Sequence, residues 1–241
     1  MNEVLNNIKS EKRRRTIIVL TFVFLYQMMF FLIEGLNREF NVIYHPLDDL
    51  IPFNEYFMIP YILWFFYLGI NLIYYIRKAD RSTFNQYNSL LFGGMVFCLV
   101  INIIWPSMVQ LRPTHFEREN IFIEIVKYMH VIDTPTNVCP SIHVYATVIT
   151  HMALTKLTDI GKNKWIKGLS FILSVSILMS TVFLKQHSIV DVVVGILVAQ
   201  VIFVFSEEVK KLNIQNLGPL FNRGAKERLS LETDTYYKRN K

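Results

Sequence analysis

Cysteine is nearly absent from this chain of 241 residues: there are two, Cys98 and Cys139. Cys98 lies inside an apolar run and Cys139 in the loop after it, at different depths, so no disulfide is expected between them. No paired-cysteine pattern that would hold a metal is present, and no internal repeat is visible. Charge is also scarce, at 18% of residues against 52% apolar, a balance that a soluble domain could share and that does not settle the solvent. The first apolar run follows Lys12-Arg13-Arg14-Arg15 as a secretory leader would. It lacks a small-residue cleavage site, Glu34-Gly35-Leu36 being a poor one, so the run is expected to be retained. No glycine-flanked elbow surrounds Ser141, which argues against a serine nucleophile there.

What the chain has in quantity is long apolar segments. A spanning helix needs roughly 20 mostly apolar residues, because the hydrocarbon core is about 30 Å thick. Residues 16–36, 57–76, 88–106, 141–157, 166–184 and 188–205 fit that description, the fourth being short and dotted with Thr and His. The expected fold class is an all-α integral membrane protein, a bundle of about six transmembrane helices. It divides into a basic N-terminus (1–15), the bundle (16–207) and a tail (208–241), with a short helix followed by disorder from about Gly224. Twenty of the 25 lysines and arginines fall on the side of the two termini, which places both termini in the cytoplasm. The net charge of +6 is then accounted for by anionic lipid head groups, and no nucleic-acid partner is expected.

Between the third and fourth spans runs the longest loop, 107–139. Within it Ile121, Phe122, Ile125, Val126 and Met129 recur at helical spacing, which predicts a short amphipathic helix, lying on the outer surface or capping the bundle. The loop 38–56, with Asp48-Asp49 and two prolines, is expected to fold back over the same face.

This topology gathers residues that are far apart in sequence. Arg112 follows the third span, His143 starts the fourth, and Lys185, His187 and Asp191 bridge the fifth and sixth. Ionisable groups beside spans are costly and usually functional. His187 and Asp191 are four apart and share a helix face, so the carboxylate can take one ring proton and leave the other nitrogen as a lone pair. A tether between helices is the plain alternative. Gly195 and Ala199 continue that stripe with small residues, allowing close approach of a neighbour. On the fourth span His143, Thr147 and His151 fall at i, i+4 and i+8, with His143 near the surface and His151 deeper as a helix bridge. Pro140 is a helix-start signal, and the N–H groups there with the Ser141 hydroxyl would cradle phosphate. Arg112 can grip phosphate oxygens bidentately and Lys185 can add a point charge.

Arg112-Pro113, Pro140-Ser141-Ile142-His143 and His187-x-x-x-Asp191 resemble the three signature motifs of the type 2 phosphatidic acid phosphatase superfamily. The fuller string from Asp133 through Asn137 to Val144, with Lys185-Gln186-His187 and Ile51-Pro52-Phe53, resembles the branch that includes bacterial lipid phosphatases and inositol phosphorylceramide synthase. The resemblance runs from about Asp48 to Gly195. It implies a six-helix membrane core with its site on the extracytoplasmic face, the expected membrane being a bacterial plasma membrane. It further implies that His187 forms a phosphohistidine, Asp191 orients it, His143 acts as general acid and then base, and Arg112 and Ser141 hold the phosphate, with no metal or other cofactor. Three positions depart from the family: Trp105 stands where a lysine is usual, Ile142 where a glycine is, and Ser180-Thr181 where Ser-Arg is. Lys185 would replace one of the missing cations.

The implied partners are the bilayer and a phosphorylated lipid, phosphatidate-like or polyprenyl, hydrolysed at a monoester or pyrophosphate. An alcohol in place of water would make the site a head-group phosphotransferase. Readings from other classes are a proton-coupled transporter, which would tend to bury His and Asp near mid-membrane, and a non-catalytic scaffold. A zinc site of His143, His187 and Asp191 has suitable ligands, but Arg112 and Lys185 would repel the ion.

Overall fold

The computed structural model describes residues 2–36 and 38–211. The chain divides into two compact units, Met1–Val201 and Ile202–Lys241. In the second, the described residues are helical and end at Lys211; the rest of the expected tail lies outside the described residues.

The architecture is helical. The helices are α1 (Asn2–Glu34), α2 (Leu47–Leu50), α3 (Met58–Lys78), α4 (Arg81–Ile104), α5 (Ile121–Ile132), α6 (Ile142–Leu157), α7 (Lys164–Phe183) and α8 (Ile189–Lys211). Five of them, α1, α3, α4, α7 and α8, are long and apolar enough to cross a membrane, so the chain is a helical membrane protein. Their outward faces are apolar and exposed, as lipid requires: Phe24, Phe66, Ile70 and Phe205 are examples. α6 differs. At 16 residues it is about 24 Å long at 1.5 Å per residue, short of the hydrocarbon thickness. It packs against α3, α4 and α7, and buries Tyr145, Ala146, Thr147, Ile149 and Thr150. A helix surrounded by protein need not be apolar, which is why the fourth apolar segment reads weakly in sequence.

Local chemistry sets the ends. α1 begins well before its apolar run, because Glu11 pairs with Arg14 (2.9 Å) and Arg15 (3.2 Å) at i+3 and i+4. Arg15 is itself buried, and donates to the carbonyls of Ala79 (2.7 Å) and Tyr75 (3.5 Å) at the C-terminal end of α3. α4 starts under an Asp80 cap that accepts from Thr83 N at 3.0 Å, and stops before Trp105, which precedes Pro106 and so leaves helical geometry. α5 is capped by Asn120 and is two-faced. Ile123, Val126 and Met129 are buried with Met58, Tyr61 and Leu184, while Ile121, Tyr128 and Val131 are exposed. It therefore caps the bundle with one side and leaves an apolar side uncovered.

Gly94 lets Tyr145 lie across α4, since a methyl there would come within 1.6 Å of the phenol oxygen. Two short parallel strands, β1 (Asn41–Val42) and β2 (Ser107–Met108), tie the loop after α1 to the loop after α4. They lie at the end of the bundle where α1, α4 and α7 finish and α3, α6 and α8 begin. Cys98 and Cys139 are both buried and free.

Candidate active site

His187 lies just ahead of α8, not within it. The helix opens with a reciprocal cap: Ser188 Oγ accepts from Val190 N (3.2 Å), and Asp191 Oδ2 accepts from Ser188 N (2.9 Å). The same Asp191 Oδ2 lies 3.3 Å from His187 Nδ1. The pair expected on one helix face is thus made by a turn that folds His187 back over the cap. A carboxylate accepting at Nδ1 fixes the proton there and leaves Nε2 as the lone pair. Both side chains are buried, and Asp191 Oδ1 has no hydrogen-bond partner among the described residues. A second carboxylate supports the turn from far away: Asp48 accepts from Ser188 Oγ (2.6 Å) and from Ile189 N (2.8 Å).

The turn is set by how α7 ends. Lys185 N donates to Val182 O (3.1 Å) and Gln186 N to Thr181 O (3.0 Å), with Lys185 in the left-handed region at φ 58. This is a Schellman stop, whose left-handed position glycine usually fills. A lysine there costs on the order of 1 kcal/mol of backbone strain, and its side chain supplies the compensation. The ammonium donates to Asp48 O (2.6 Å) and Ile51 O (2.5 Å), pinning the 38–56 loop against the His187 turn. Burial holds that ammonium below the usual lysine range, against the pull of Asp48 and Asp49. Lys185, expected among the phosphate-binding groups, has its ammonium engaged by these two carbonyls, which holds the loop in place.

His143 belongs to the first turn of α6, whose cap is Ser141: its Oγ accepts from Val144 N at 3.4 Å. Ser141 is fully buried, and its own N–H donates to Asp191 O at 3.4 Å, joining the starts of α6 and α8. Gly195 permits this approach; a methyl there would lie 3.0 Å from Ser141 O and 3.1 Å from Val144. The result places the His143 and His187 rings 5.9 Å apart, centroid to centroid. His143 also packs on Trp64 (4.4 Å between centroids), and its Nε2 lies 3.2 Å from the Tyr61 hydroxyl. That hydroxyl donates in turn to Asp133 Oδ2 at 2.5 Å.

Arg112 reaches the same place from the loop before α5. Its guanidinium donates to His130 O (2.8 Å), to Asp133 O and to Gln186 Oε1, the residue beside His187. Its Nε is buried and has no hydrogen-bond partner among the described residues. Burial holds it below the usual arginine range, opposed by the nearby Asp133 and Tyr61. His130, on the same stretch, is lowered to about 4 by burial and by Arg112, and so is neutral near pH 7.

Both histidines open onto a cavity of about 500 Å³. Its polar end carries His143, His187, Gln186, Asp133 and Asn137, while its walls are aromatic and aliphatic, with Phe22, Tyr26 and Phe30 from α1, Phe65 from α3 and Phe92 from α4. Two facing imidazoles, one backed by a carboxylate, with a guanidinium alongside, can pass a phosphoryl group through an N–P bond and move the accompanying proton. A long apolar wall leading to that end suits a ligand with a hydrocarbon tail. Among the described residues, no three His, Cys, Asp or Glu side chains are grouped so as to hold a metal ion.

Sequence reasoning singled out His143, His187, Asp191, Arg112, Ser141 and Lys185. It assigned no role to Tyr61, Gln186, Asp133 and Asp48. The last three stand in segments already noted, but Tyr61 lies on an apolar span and carries no spacing signal. His151, read as a helix bridge, has its Nδ1 2.8 Å from Ser170 Oγ, which is 2.7 Å from Tyr67 Oη. Compared with protein-family models, with curated proteins and with solved structures, the chain matches none.

Proposed function

We propose that the chain is a lipid phosphatase of the type 2 phosphatidic acid phosphatase kind, hydrolysing a phosphate monoester or pyrophosphate of a lipid through a phosphohistidine on His187. The observation that carries this reading is the juxtaposition of the His143 and His187 rings, 5.9 Å apart, at the polar end of an apolar-walled cavity. His187 Nε2 attacks phosphorus in line, forming the N–P bond as the P–O bond to the lipid breaks. His143 gives its proton to the departing oxygen. Water then attacks the phosphohistidine, losing a proton to His143, and phosphate leaves. Arg112 and the N–H groups at the start of α6 stabilise charge on the equatorial oxygens. Ser141 and Lys185 act by holding the two helix starts and the loop in place.

In this reading α6 is the sixth crossing, both termini are cytoplasmic, and the cavity's polar end faces the extracytoplasmic side of a bacterial plasma membrane. The lipid tail lies against α1, α3 and α4. A transporter is disfavoured because the histidines sit at helix ends instead of mid-span.

The test is phosphate release from phosphatidate and from a polyprenyl pyrophosphate by purified protein in EDTA. Release that is metal-independent and vanadate-sensitive is expected, with a loss of at least about 10³-fold in His187→Ala. Activity abolished by EDTA, or a His187→Ala protein as active as the parent, overturns the mechanism. Adding diacylglycerol or ceramide as acceptor separates hydrolysis from head-group transfer.

A further inference from the structure

His187 is held by a carboxylate directly; His143 is held by one through an intervening phenol. We propose that Tyr61 and Asp133 are positioning residues that fix the tautomer of His143 and favour its protonated ring. The kinetic half of this inference rests on the phosphoryl-transfer reading above; the tautomer does not.

The argument begins with hydrogen count. The Tyr61 hydroxyl has one hydrogen and two neighbours: Asp133 Oδ2 at 2.5 Å and His143 Nε2 at 3.2 Å. A carboxylate at the shorter distance takes it. The phenol oxygen then presents only lone pairs to His143, so Nε2 must carry a hydrogen and donate. In the neutral ring Nδ1 is left with the lone pair, and Nδ1 becomes the atom that exchanges the proton. When the ring is protonated, the chain Nε2–H to Oη–H to Oδ2 is polarised along its whole length by the Asp133 charge. The first step passes the Nδ1 proton to the leaving oxygen, and the second returns one to Nδ1 from water. Tyr61 keeps its own hydrogen throughout.

Every member of the chain is held. Tyr61 is 4% exposed, within the cluster formed by Met58, Val126, Met129 and Leu184. Asp133 caps α5, its N–H donating to Met129 O at 2.8 Å and its carbonyl accepting from Arg112. Trp64 packs on the His143 ring. The charged and titratable groups around that ring are thus Tyr61 from α3, Asp133 from the end of α5, His187 with Asp191 from the start of α8, and Arg112 beyond the Asp133 carbonyl. A relay through a phenol acts more weakly than a direct carboxylate, which suits a histidine that must both release and accept a proton.

The experiment uses the full chain in detergent, with Tyr61→Phe and Asp133→Asn. Nitrogen-15 histidine NMR, with the His143 signal identified by its loss in His143→Gln, should show an Nε2–H tautomer that gives way to a mixture in Tyr61→Phe. In pre-steady-state phosphoryl transfer, both variants should lose about tenfold in rate, with KM within about twofold of the parent. The basic limb of the pH profile, where the acid loses its proton, should move about one unit lower. An unchanged tautomer together with an unmoved limb, even if the rate falls, assigns Tyr61 a packing role and overturns the relay. A parent protein that releases no phosphate, but whose tautomer changes in Tyr61→Phe, overturns the phosphatase reading and leaves the relay standing.

Discussion

α6 carries two histidines about 12 Å apart along its axis, and they have opposite surroundings. His143, at the start of the helix, opens on the cavity and is met by four side chains from three other segments: Tyr61 and Trp64 of α3, Asp133 after α5 and His187 before α8. His151, two turns on, meets Ser170 of α7, which meets Tyr67 of α3. The first arrangement leaves ring atoms facing a space; the second closes a short hydroxyl chain between helices. One residue type on one helix therefore serves two ends, and the neighbours decide which. A stripe of polar residues at i, i+4 and i+8 marks an inward face but does not distinguish chemistry from tethering.

The sharpest way to break this contrast is to remove each ring. His143→Ala should lower lipid-phosphate turnover by about 10²- to 10⁴-fold with little change in melting midpoint. His151→Ala should keep turnover within about twofold and cost about 1 kcal/mol of stability, the worth of one ordinary hydrogen bond. Equal losses of turnover in the two variants would erase the distinction.

A smaller effect tests what shapes the cavity end. Lys185→Met keeps the left-handed strain and leaves the Asp48 and Ile51 carbonyls without their ammonium, which should cost about 1–3 kcal/mol. Lys185→Gly loses the same bonds but relieves the strain, and should melt above Lys185→Met by about 1 kcal/mol. Thermal unfolding of both in one detergent decides it: a glycine variant no more stable than the methionine one means that the position carries no strain.

A further test is a pH dependence. His130, lowered from 6.5 to about 4, stays neutral in the fold while the unfolded chain takes up a proton. Its contribution is present above about pH 6.5 and is lost as pH falls toward 4. The midpoint of unfolding should therefore drop over that interval, and His130→Gln should flatten the drop. An identical pH dependence in the variant would assign it to other groups.

How much was legible in advance follows from how each residue is specified. Helix existence was legible because apolar runs of spanning length are a property of contiguous sequence. His143, His187, Asp191 and Arg112 stood out because polar groups at the edges of such runs are rare, and because their spacing resembles known motifs. Tyr61 was not legible: on a span rich in Tyr, Phe and Trp, nothing in the local pattern separates the phenol that meets Asp133 from those that merely pack. For Lys185 the local pattern shows only part of its surroundings. Sequence shows a cation beside a histidine, whereas its role depends on a left-handed backbone that only the stop of α7 reveals. α6 reads weakly as a span because the length criterion assumes lipid around the helix, whereas α3, α4 and α7 pack against this one.

The cap that Asp48 provides for the start of α8 joins residues 140 positions apart. During synthesis the acceptor is therefore made long before its donors, and it must wait through the emergence of α3, α4, α5, α6 and α7. The segment bearing His187 is the last part of the cavity lining to be made. Truncated or stalled chains that end ahead of it would contain the apolar cavity wall without His187.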